Sequence, residues 1–561
     1  MATTAYPLEV LFTADLAAAR WLVPLPVVVP LVGAGLAVIA GRRTGWQRAV
    51  TVLTLALTLL VAAALVAATH LAPTPLVVEA GGWVAPQGIV LVADRLAALM
   101  LIVAVTVTFG VVLFAIGQGR ASDDVGDGES PLPVFHPSLL ILMAGVHTTF
   151  VSGDLFHIYV GFEMLLFASF VLLTLGGTED RVRAGVNYVF VSLLSSMLFL
   201  LALALIYAAC GTVNLAQLAV RLQDLPEGIR TTLQVLLLLG FMVKAAVFPM
   251  SGWLPDSYPT APAPVTAVFA GLLTKVGVYA IIRAQTLLFP DGGLDDILLW
   301  AALLTMLVGI VSSLAQDDVK RLLSFTLVSH IGYMVFGVAL ASDLGLSSAI
   351  FYVVHHIVVQ TALFLVVGLM ERRGGSASLA RLGGLARSAP GVAVLFFLPA
   401  MNLAGIPPFS GFLGKVGLIQ AGVDRGTPLA YLLVAGSLVT SLLTLYAVSR
   451  VWAKAFWRPP DAEAPAGSGS PADGGARAQM STVSGAPARR SGATSTAAQT
   501  SLVAPGGSAP RALVGPTLAL VTVSTALTLV AGPVYAFTDR AAADLRARTP
   551  YITAVFPRGV P

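Results

Sequence analysis

Apolar runs of about 20 residues follow one another along almost the whole chain, with short polar stretches between them. A helix needs about 20 mostly apolar residues to cross the hydrocarbon of a bilayer. Runs of this kind have their centres near residues 31, 59, 106, 144, 164, 196, 240, 275, 306, 331, 359, 405, 441 and 524. The pattern predicts an all-α polytopic membrane protein with about 14 transmembrane helices.

Composition agrees with a membrane protein and excludes several other classes. Of the 561 residues, 57% are hydrophobic and 11% are charged, and the mean hydropathy is +0.88. The net charge of +4 comes from basic residues in loops rather than on one surface, which argues against nucleic-acid binding. The single cysteine, Cys210, excludes an intrachain disulfide and a cysteine metal cluster. We expect no catalytic residues, no metal and no cofactor.

Arginine and lysine are distributed unevenly between the two sides that the spans define. If the N-terminus lies outside, the predicted cytoplasmic loops hold 19 of the 32 Lys and Arg residues, and the outer loops and tails hold 10. The remaining three are lysines within the spans. Because cytoplasmic loops carry an excess of basic residues, we expect a multi-pass protein of the cell membrane with both termini on the outer side.

A hexapeptide with the pattern P-x-S-G-aromatic-L occurs twice, as Pro249–Leu254 and as Pro408–Leu413, each time late in an apolar span. Five spans separate equivalent points of the two copies, so the second copy crosses the membrane inverted. Interrupted helices at matching places of inverted repeats mark the ion site in many secondary transporters. The predicted broken-helix elements are Pro249, Gly252, Pro255, Pro407, Pro408 and Gly411. Freed backbone groups require protein or water partners, so the breaks predict a hydrated pathway.

These observations divide the chain into five predicted segments. Residues 459–511 consist almost entirely of Pro, Ala, Gly, Ser and Thr and cannot bury enough apolar area to fold. The acidic stretch 121–129 is interpreted as a solvated surface loop. The segments are 1–135 with helices 1–3, 136–294 with the first inverted repeat and a break near 244–255, 295–455 with the second repeat and a break near 404–414, the disordered cytoplasmic linker 456–511, and 512–561 with the final helix and tail.

Ionisable residues within the predicted spans are the strongest candidates for function. A lysine near the middle of a membrane costs roughly 2.5–3.5 kcal/mol on insertion scales. The residues are Glu163, Lys244, Lys275 and Lys415, together with His147, His157, His330, His355 and His356. The structural alternative is that the charges form buried ion pairs or that the lysines extend to an interface, and for Lys415, close behind a break, that extension is the more credible.

A buried lysine whose carboxylate partner approaches and withdraws alternates between the charged and the neutral amine and so carries protons. Glu163 and Lys244 form the natural pair for this role. Histidine titrates near neutral pH, and His330, His355 and His356 lie between the two breaks, where they can link Lys275 to Lys415. Neighbouring helix residues face directions about 100° apart, so one of His355 and His356 can serve the relay while the other packs. His147 and His157 are interpreted as core residues.

Several motifs, in the same order, resemble a known family. They are KAAVFPMSGWLPDSYPTAPAPVTAVFAGLLTKVGVY, DDVKRLLSFTLVSHIGYM, HHIVVQTALFLVVGLMER and NLAGIPPFSGFLGK. Residues 95–455 are similar to the antiporter-like proton-translocating subunits of complex I and of multisubunit Mrp-type Na+/H+ antiporters. PDSYPTAPAPVTA and HHIVVQTALF are most similar to the Mrp branch. The resemblance implies a secondary transporter subunit rather than an enzyme, with other antiporter subunits, the lipid bilayer, protons and Na+ as partners.

The resemblance also implies a role for each intramembrane charge. The family places a glutamate on the fifth span, paired with a lysine on the seventh, a lysine on the eighth, and a lysine or glutamate on the broken twelfth. Glu163, Lys244, Lys275 and Lys415 occupy these places. Many relatives have a lysine on the eleventh span where this chain has Gln360, which leaves that relay step to His355 or His356.

Two other functions remain open from the sequence. One is the equivalent proton-pumping membrane subunit of an NADH:quinone oxidoreductase or membrane-bound hydrogenase, in which partner subunits hold the redox groups. The other is a membrane-embedded enzyme such as a lipid-linked glycosyltransferase, which requires clustered acidic ligands at a membrane face. Asp317 and Asp318 are the nearest candidates, and the adjacent Lys320 and Arg321 favour a loop anchor instead.

Overall fold

The computed structural model describes residues 19–123, 133–291, 293–459 and 511–560. Positions 460–510 of the predicted linker and 124–129 of the predicted acidic loop lie outside these ranges. In the described part, twelve helices are long and apolar enough to cross a membrane, and two shorter apolar helices, Phe135–Val151 and Pro390–Ala404, complete the set. The prediction of an all-α polytopic membrane protein with about 14 spans is confirmed.

The spans are numbered in chain order, and the twelfth consists of two helices. They are α1 (Leu25–Ala40), α2 (Thr44–Leu71), α3 (Arg95–Asp123), α4 (Phe135–Val151), α5 (Leu155–Leu173), α6 (Glu179–Cys210), α7 (Glu227–Ala245), α8 (Ala263–Leu288), α9 (Asp295–Leu314), α10 (Val319–Ala339), α11 (Asp343–Gly374), α12a (Pro390–Ala404), α12b (Ser410–Arg425), α13 (Pro428–Val451) and α14 (Arg511–Leu529).

The structure adds elements that the hydropathy pattern does not predict. Strands β1 (Leu76–Glu79) and β2 (Val90–Ala93) form an antiparallel hairpin between α2 and α3, with Leu76 opposite Ala93. The chain after α14, expected as a tail, forms helices α15 (Ala531–Ala547) and α16 (Thr549–Val555). These elements are too short or too polar to cross a bilayer, so they contribute no span-length apolar signal.

The connections between spans collect at two opposite faces. At one face, Gly153 N donates to Val90 O at 2.8 Å and Leu155 N donates to Val213 O at 2.9 Å, so the α4–α5 connection contacts both the β-hairpin and the α6–α7 connection there. The tail helices lie at the same face, where Arg548 Nε donates to Leu287 O at 3.0 Å. We call this end of the bundle the hairpin face.

The opposite end is called the Asp317 face. Val319 N donates to Ala377 O at 3.0 Å, and Gly384 N donates to Arg458 O at 2.6 Å. The starts of α10 and α12a and the end of α13 are therefore tied together at this end.

Burial separates the spans into a central group and a surrounding group. The most apolar part of α8 and of α11 is 100% buried, and that of α10 is 94% buried, whereas α1 and α14 reach 33%. Large apolar side chains of α6, such as Phe190 and Met197, are exposed and suit a lipid environment. The histidines of the predicted relay and Lys275 therefore lie on the three central helices.

Both predicted helix breaks are present. Helix α7 ends at Ala245, Ala246 takes the left-handed conformation with φ 58°, and the one-turn helix Trp253–Ser257 follows. Helix α12a ends at Ala404, Gly405 has φ 82°, and α12b begins at Ser410.

The residues predicted to form the breaks divide into two groups. Pro249 and Gly252 lie in the first break, and Pro407 and Pro408 lie in the second. Pro255 lies in the one-turn helix Trp253–Ser257 between α7 and α8, and Gly411 is the second residue of α12b, so their assignment to the broken-helix elements stays a prediction. A proline is tolerated in the first turn of a helix because the missing N–H would have no helical partner there. Each break begins three residues before its hexapeptide.

Equivalent contacts at opposite faces support the predicted inversion of the two repeats. Before α5, Asp154 forms an isolated β-bridge with Asn214 at the hairpin face, and its side chain accepts from His157 N at 2.6 Å. Before α10, Asp318 forms the same kind of bridge with Ser378 at the Asp317 face, and its side chain caps that helix. Two spans lie between the partners of each bridge. The repeat remains a prediction that this correspondence supports.

Candidate functional site

Lys244 lies in the last turn of α7, directly before the first break. It is 7% exposed, and Nζ has no hydrogen-bond partner among the described residues. Nζ lies 6.0 Å from the centre of the Phe162 ring, and the charge of Glu163 on α5 acts on the amine. The carbonyl of Val243 accepts from Trp253 Nε1 at 3.1 Å, so this aromatic residue of the repeated hexapeptide closes the end of α7.

Glu163 and Lys244 are not in direct contact in this structure. Within the described ranges, Oε1 of Glu163 is buried without a hydrogen-bond partner, and the ion pairs there do not include one between these two residues. A direct Glu163–Lys244 ion pair, one form of the structural alternative for these charges, is therefore not present among the described residues in this conformation. Two buried groups that attract each other across a gap can form and break an ion pair through small movements or a bridging water.

Lys275 lies on α8, is fully buried, and donates from Nζ to Ala270 O at 2.6 Å. This carbonyl belongs to the π-helical stretch Phe269–Leu273, where the wider turn makes a backbone oxygen available. Gly277, half a turn further, lies against the end of α7, where an added Cβ would be 2.7 Å from Ala245 N. Close packing of α8 on α7 thus places the two lysine-bearing segments side by side.

A cluster of aromatic rings follows between Lys275 and Lys415. The rings of His330 and His356 are 5.3 Å apart, and the Tyr352 ring lies 5.2 Å from His355 and 6.3 Å from His356. The Tyr352 hydroxyl lies 2.9 Å from His330 Nδ1. Both ring nitrogens of His356 are buried and accept or donate no hydrogen bond within the described part of the chain. The charges of Lys275 and Lys415 both act on His330 and His356, so these histidines lie near both lysines.

Lys415 reaches back from α12b into the second break. Nζ donates to Leu403 O at 3.3 Å and to Ala404 O at 3.0 Å, the carbonyls that the end of α12a leaves without helical partners. The side chain is 4% exposed, so the expectation that it extends to an interface is wrong. Gly405 is required here, because a Cβ would lie 3.2 Å from Lys415 Nζ and the φ of 82° favours glycine.

His355 joins this second break to the histidine cluster. Its Nδ1 lies 3.0 Å from Ser410 Oγ, at the first residue of α12b, and its Nε2 is buried with no partner among the residues described. Gly411 lets the imidazole approach, since a Cβ at this position would lie 3.0 Å from His355 Nε2. A neutral imidazole both donates and accepts a proton, so His355 has the chemistry of a relay beside Lys415.

The other buried polar residues singled out from the sequence have local partners. His147 Nδ1 lies 2.6 Å from Pro26 O, and His157 Nδ1 lies 3.0 Å from Ser152 Oγ, both away from the central helices. Gln360 Nε2 donates to Leu323 O at 2.9 Å and so ties α11 to α10. An amide does not titrate, so Gln360 cannot take the place of the lysine found in many relatives.

Asp317 and Asp318 also have structural partners. Asp317 Oδ1 accepts from Arg450 Nη2 at 2.6 Å and lies 3.5 Å from Lys454 Nζ, while Asp318 Oδ1 accepts from Arg321 N at 2.9 Å. These contacts anchor α13 and cap α10.

A second buried polar cluster, which was not predicted from the sequence, lies at the hairpin face. Arg283 Nη1 pairs with Asp94 Oδ2 at 2.7 Å, Nη2 donates to the Tyr279 hydroxyl at 2.9 Å, and that hydroxyl donates to Phe150 O at 2.6 Å. Arg283 and Tyr279 follow Lys275 at intervals of four residues on α8, so they share one side of the helix. The four-residue spacing from Lys275 indicates in the sequence that Tyr279 and Arg283 share its side of α8. Asp94 lies in a loop, and no such spacing connects it with this cluster.

Comparisons with known proteins agree with this geometry. The family described as "NADH:quinone oxidoreductase/Mrp antiporter, TM" matches residues 152–444. A Na(+)/H(+) antiporter subunit of Alkalihalophilus pseudofirmus is 39% identical over 440 residues, which cover 78% of this chain and 87% of the relative.

Two solved structures have the same fold. A chain of the Mrp complex from Dietzia sp. has a TM-score of 0.82 and 34% identity, and the match covers 95% of this chain and 99% of that one. A chain of respiratory complex I from Thermus thermophilus has a TM-score of 0.72 and 24% identity, covering 93% and 99% of the two chains, which shows the fold alone. This chain therefore belongs to the NADH:quinone oxidoreductase/Mrp antiporter family of membrane subunits.

Proposed function

We propose that this chain is a proton-translocating subunit of a multisubunit Na+/H+ antiporter. The observation that carries the proposal is the row of buried titratable groups on the broken and central helices, from Lys244 through Lys275 and the histidines to Lys415. Three buried lysines in one membrane core that form no ion pair with a carboxylate among the described residues are costly, which is unexpected for groups that only hold the fold together. The relatives named as Na(+)/H(+) antiporter subunits support Na+ as the coupled ion.

In this mechanism, a proton moves through the centre of the membrane between the two helix breaks. Glu163 receives or releases the proton of Lys244, and Lys275 exchanges it with His356 and His330. His355 then connects the cluster to Lys415, whose charged amine is stabilised by the carbonyl end of α12a. Water is expected to bridge the gaps between these groups, because backbone and side-chain polar atoms line them.

Other subunits of the antiporter complex are the proposed partners, and Na+ and protons are the transported ions. We place the hairpin face outside and the Asp317 face in the cytoplasm, with both chain ends outside. The basic residues Arg450, Lys454 and Arg458 at the Asp317 face support this orientation. The alternative is a homologous subunit of an NADH:quinone oxidoreductase or membrane-bound hydrogenase, in which a redox reaction in a partner drives the protons.

The direct test measures Na+-dependent proton movement in sealed vesicles that contain the assembled complex. The antiporter function predicts that a pulse of NaCl collapses an imposed pH gradient without any added reductant. The respiratory alternative predicts no response to Na+ and proton movement only when NADH or another electron donor is supplied.

His356 provides a sharper test of the route. We expect His356→Gln to reduce the exchange rate about tenfold. This loss is smaller than the one expected for an indispensable proton-transfer group, because His330 lies beside His356 and offers a partial bypass. The matched control is His147→Gln, a change at a buried histidine that contacts Pro26 O outside the central helices. The rate is measured in vesicles and normalised to assembled complex. Equal rates for the two variants would remove His356 from the pathway.

A further inference from the structure

A proton route through the second break needs an entrance from the hairpin face. Helix α15 packs there on the first turns of α11. It lies after residue 444, the last residue that the family match covers. Two side chains of α15, Tyr535 and Asp539, are four residues apart and therefore share one side of the helix. The Tyr535 hydroxyl contacts α12b, and the Asp539 carboxylate contacts α11.

Asp539 lies at the aqueous end of this contact. The side chain is exposed, and its Oδ1 accepts a hydrogen bond from Ser347 Oγ of α11. Ser347 is fully buried and also lies 3.0 Å from Thr538 Oγ1, which is fully buried as well. A single hydroxyl thus connects a solvent-accessible carboxylate with the interior.

Tyr535 and Ser348 form the next pair toward the membrane centre. The Tyr535 hydroxyl donates to Leu413 O at 3.1 Å, and the fully buried Ser348 Oγ lies beside it. Both hydroxyl groups converge on Gly417, where an added Cβ would lie 2.8 Å from the tyrosine oxygen and 2.3 Å from the serine oxygen. Gly417 is two residues after Lys415 and therefore lies on a different side of α12b. Ser348 lies four residues before Tyr352 on α11, so these two residues share one side of that helix, which leads toward the histidine cluster.

We propose that Asp539 is the proton-collecting carboxylate of the hairpin face and that Ser347 is its inner relay. The proposal rests on the proposed function, and it assigns to the tail helix α15 a part in transport. An ionised carboxylate only accepts, so with Asp539 ionised the Ser347 hydroxyl donates to it. Protonation of Asp539 reverses this hydrogen bond, because the acid then donates to Ser347 Oγ. The serine hydroxyl then turns inward and can pass its own proton to Thr538 Oγ1, the buried hydroxyl 3.0 Å away, on the way to Tyr535 and Ser348.

The charged neighbours of Asp539 do not compete for this role. Arg540 points away, toward His70 Nδ1 at 2.7 Å. Arg546 pairs at 3.2 Å with Asp343, another carboxylate of the same face, which is 72% exposed. Asp343 therefore offers a matched control, since it is a surface aspartate near the start of α11 that has its own ion-pair partner and, within the described residues, no serine relay.

We expect Asp539→Asn to slow Na+/H+ exchange about tenfold, and Asp343→Asn to leave it near the wild-type rate. Asp539→Glu, which keeps the acid, should retain most of the activity. The specific signature is rescue: a membrane-impermeant buffer such as MES, added at high concentration on the hairpin side only, should raise the rate of Asp539→Asn by delivering protons directly. The same buffer on the other side should have no effect.

Ser347→Ala should slow exchange without rescue by the buffer. The missing hydroxyl lies further inside the protein than the surface carboxylate that the buffer replaces. This variant also tests the route if Asp539→Asn does not assemble. A wild-type rate for Asp539→Asn or for Ser347→Ala would overturn the proposal, and so would a loss in Asp539→Asn that neither the buffer nor glutamate restores. Failure of the wild-type complex to exchange Na+ for protons would contradict the proposed function instead.

Discussion

Lys244→Met is expected to lower proton-coupled Na+ transport by about 100-fold or more, because it removes a proton-transfer group at the first break. Methionine keeps the approximate volume of the stem and removes a buried amine that has no hydrogen-bond partner in the described ranges. Replacing a buried ion by an apolar side chain of similar volume is often neutral or stabilising. Assembly of the complex should therefore stay level or improve while transport is lost.

Lys244→Arg separates a proton carrier from a structural charge. Arginine keeps the positive charge but hardly ever releases its proton, so we expect this variant to fail or to run very slowly. A structural lysine predicts the opposite order, with arginine active and methionine poorly assembled. The measurement is Na+-dependent proton movement in everted vesicles, normalised to assembled complex, and a full rate for arginine would exclude the carrier role.

Glu163→Ala is expected to nearly abolish transport while the complex still assembles. Glu163 is the carboxylate that acts on Lys244, and its buried Oε1 has no partner in the described part of the chain whose loss would disturb the fold. Glu163→Asp keeps the acid on a shorter stem and should retain a part of the activity, because water can bridge the longer gap.

The control for Glu163 is Glu179→Ala at the start of α6. The Glu179 side chain is 89% exposed, and its ion pair with Arg183 at 3.9 Å is of the surface kind that contributes little. The same vesicle assay should give this variant close to the wild-type rate. Wild-type transport by Glu163→Ala would remove Glu163 from the mechanism.

The positions of the breaks and of the three lysines followed from the sequence for a physical reason. Proline and glycine interrupt helices through local backbone chemistry, and a lysine in an apolar run is conspicuous whatever surrounds it. Such features need no knowledge of neighbouring spans, so Lys244 before the first break and Lys415 behind the second were identified directly.

The environment of each charge could not be predicted in the same way. Whether Lys415 reaches an interface or the carbonyls of Leu403 and Ala404 depends on where α12a ends in space. Likewise, Asp94 lies in a loop, and only the packing of α3 against α8 makes it the partner of Arg283. Such pairs join residues far apart in the chain, so no periodic pattern in the sequence indicates them.

The polar hydroxyl groups around the relay were missed because their residue types are common in membrane helices. Tyr352 bridges toward His330, and Ser347 contacts Asp539, yet neither residue is charged or unusual in an apolar run. Tyrosine and serine become informative only when the structure shows which titratable group they face.

The most direct test of the account compares the five lysines of the chain in one assay. The complex is reconstituted into sealed vesicles with an internal pH indicator, and the initial proton flux after a Na+ pulse is recorded for each Lys→Met variant. We expect Lys244, Lys275 and Lys415, all buried, to give almost no flux. Lys320 and Lys454, which pair with Glu371 and Asp317 at the Asp317 face, should keep most of it. A wild-type flux from any of the three buried-lysine variants would contradict a proton route through that residue.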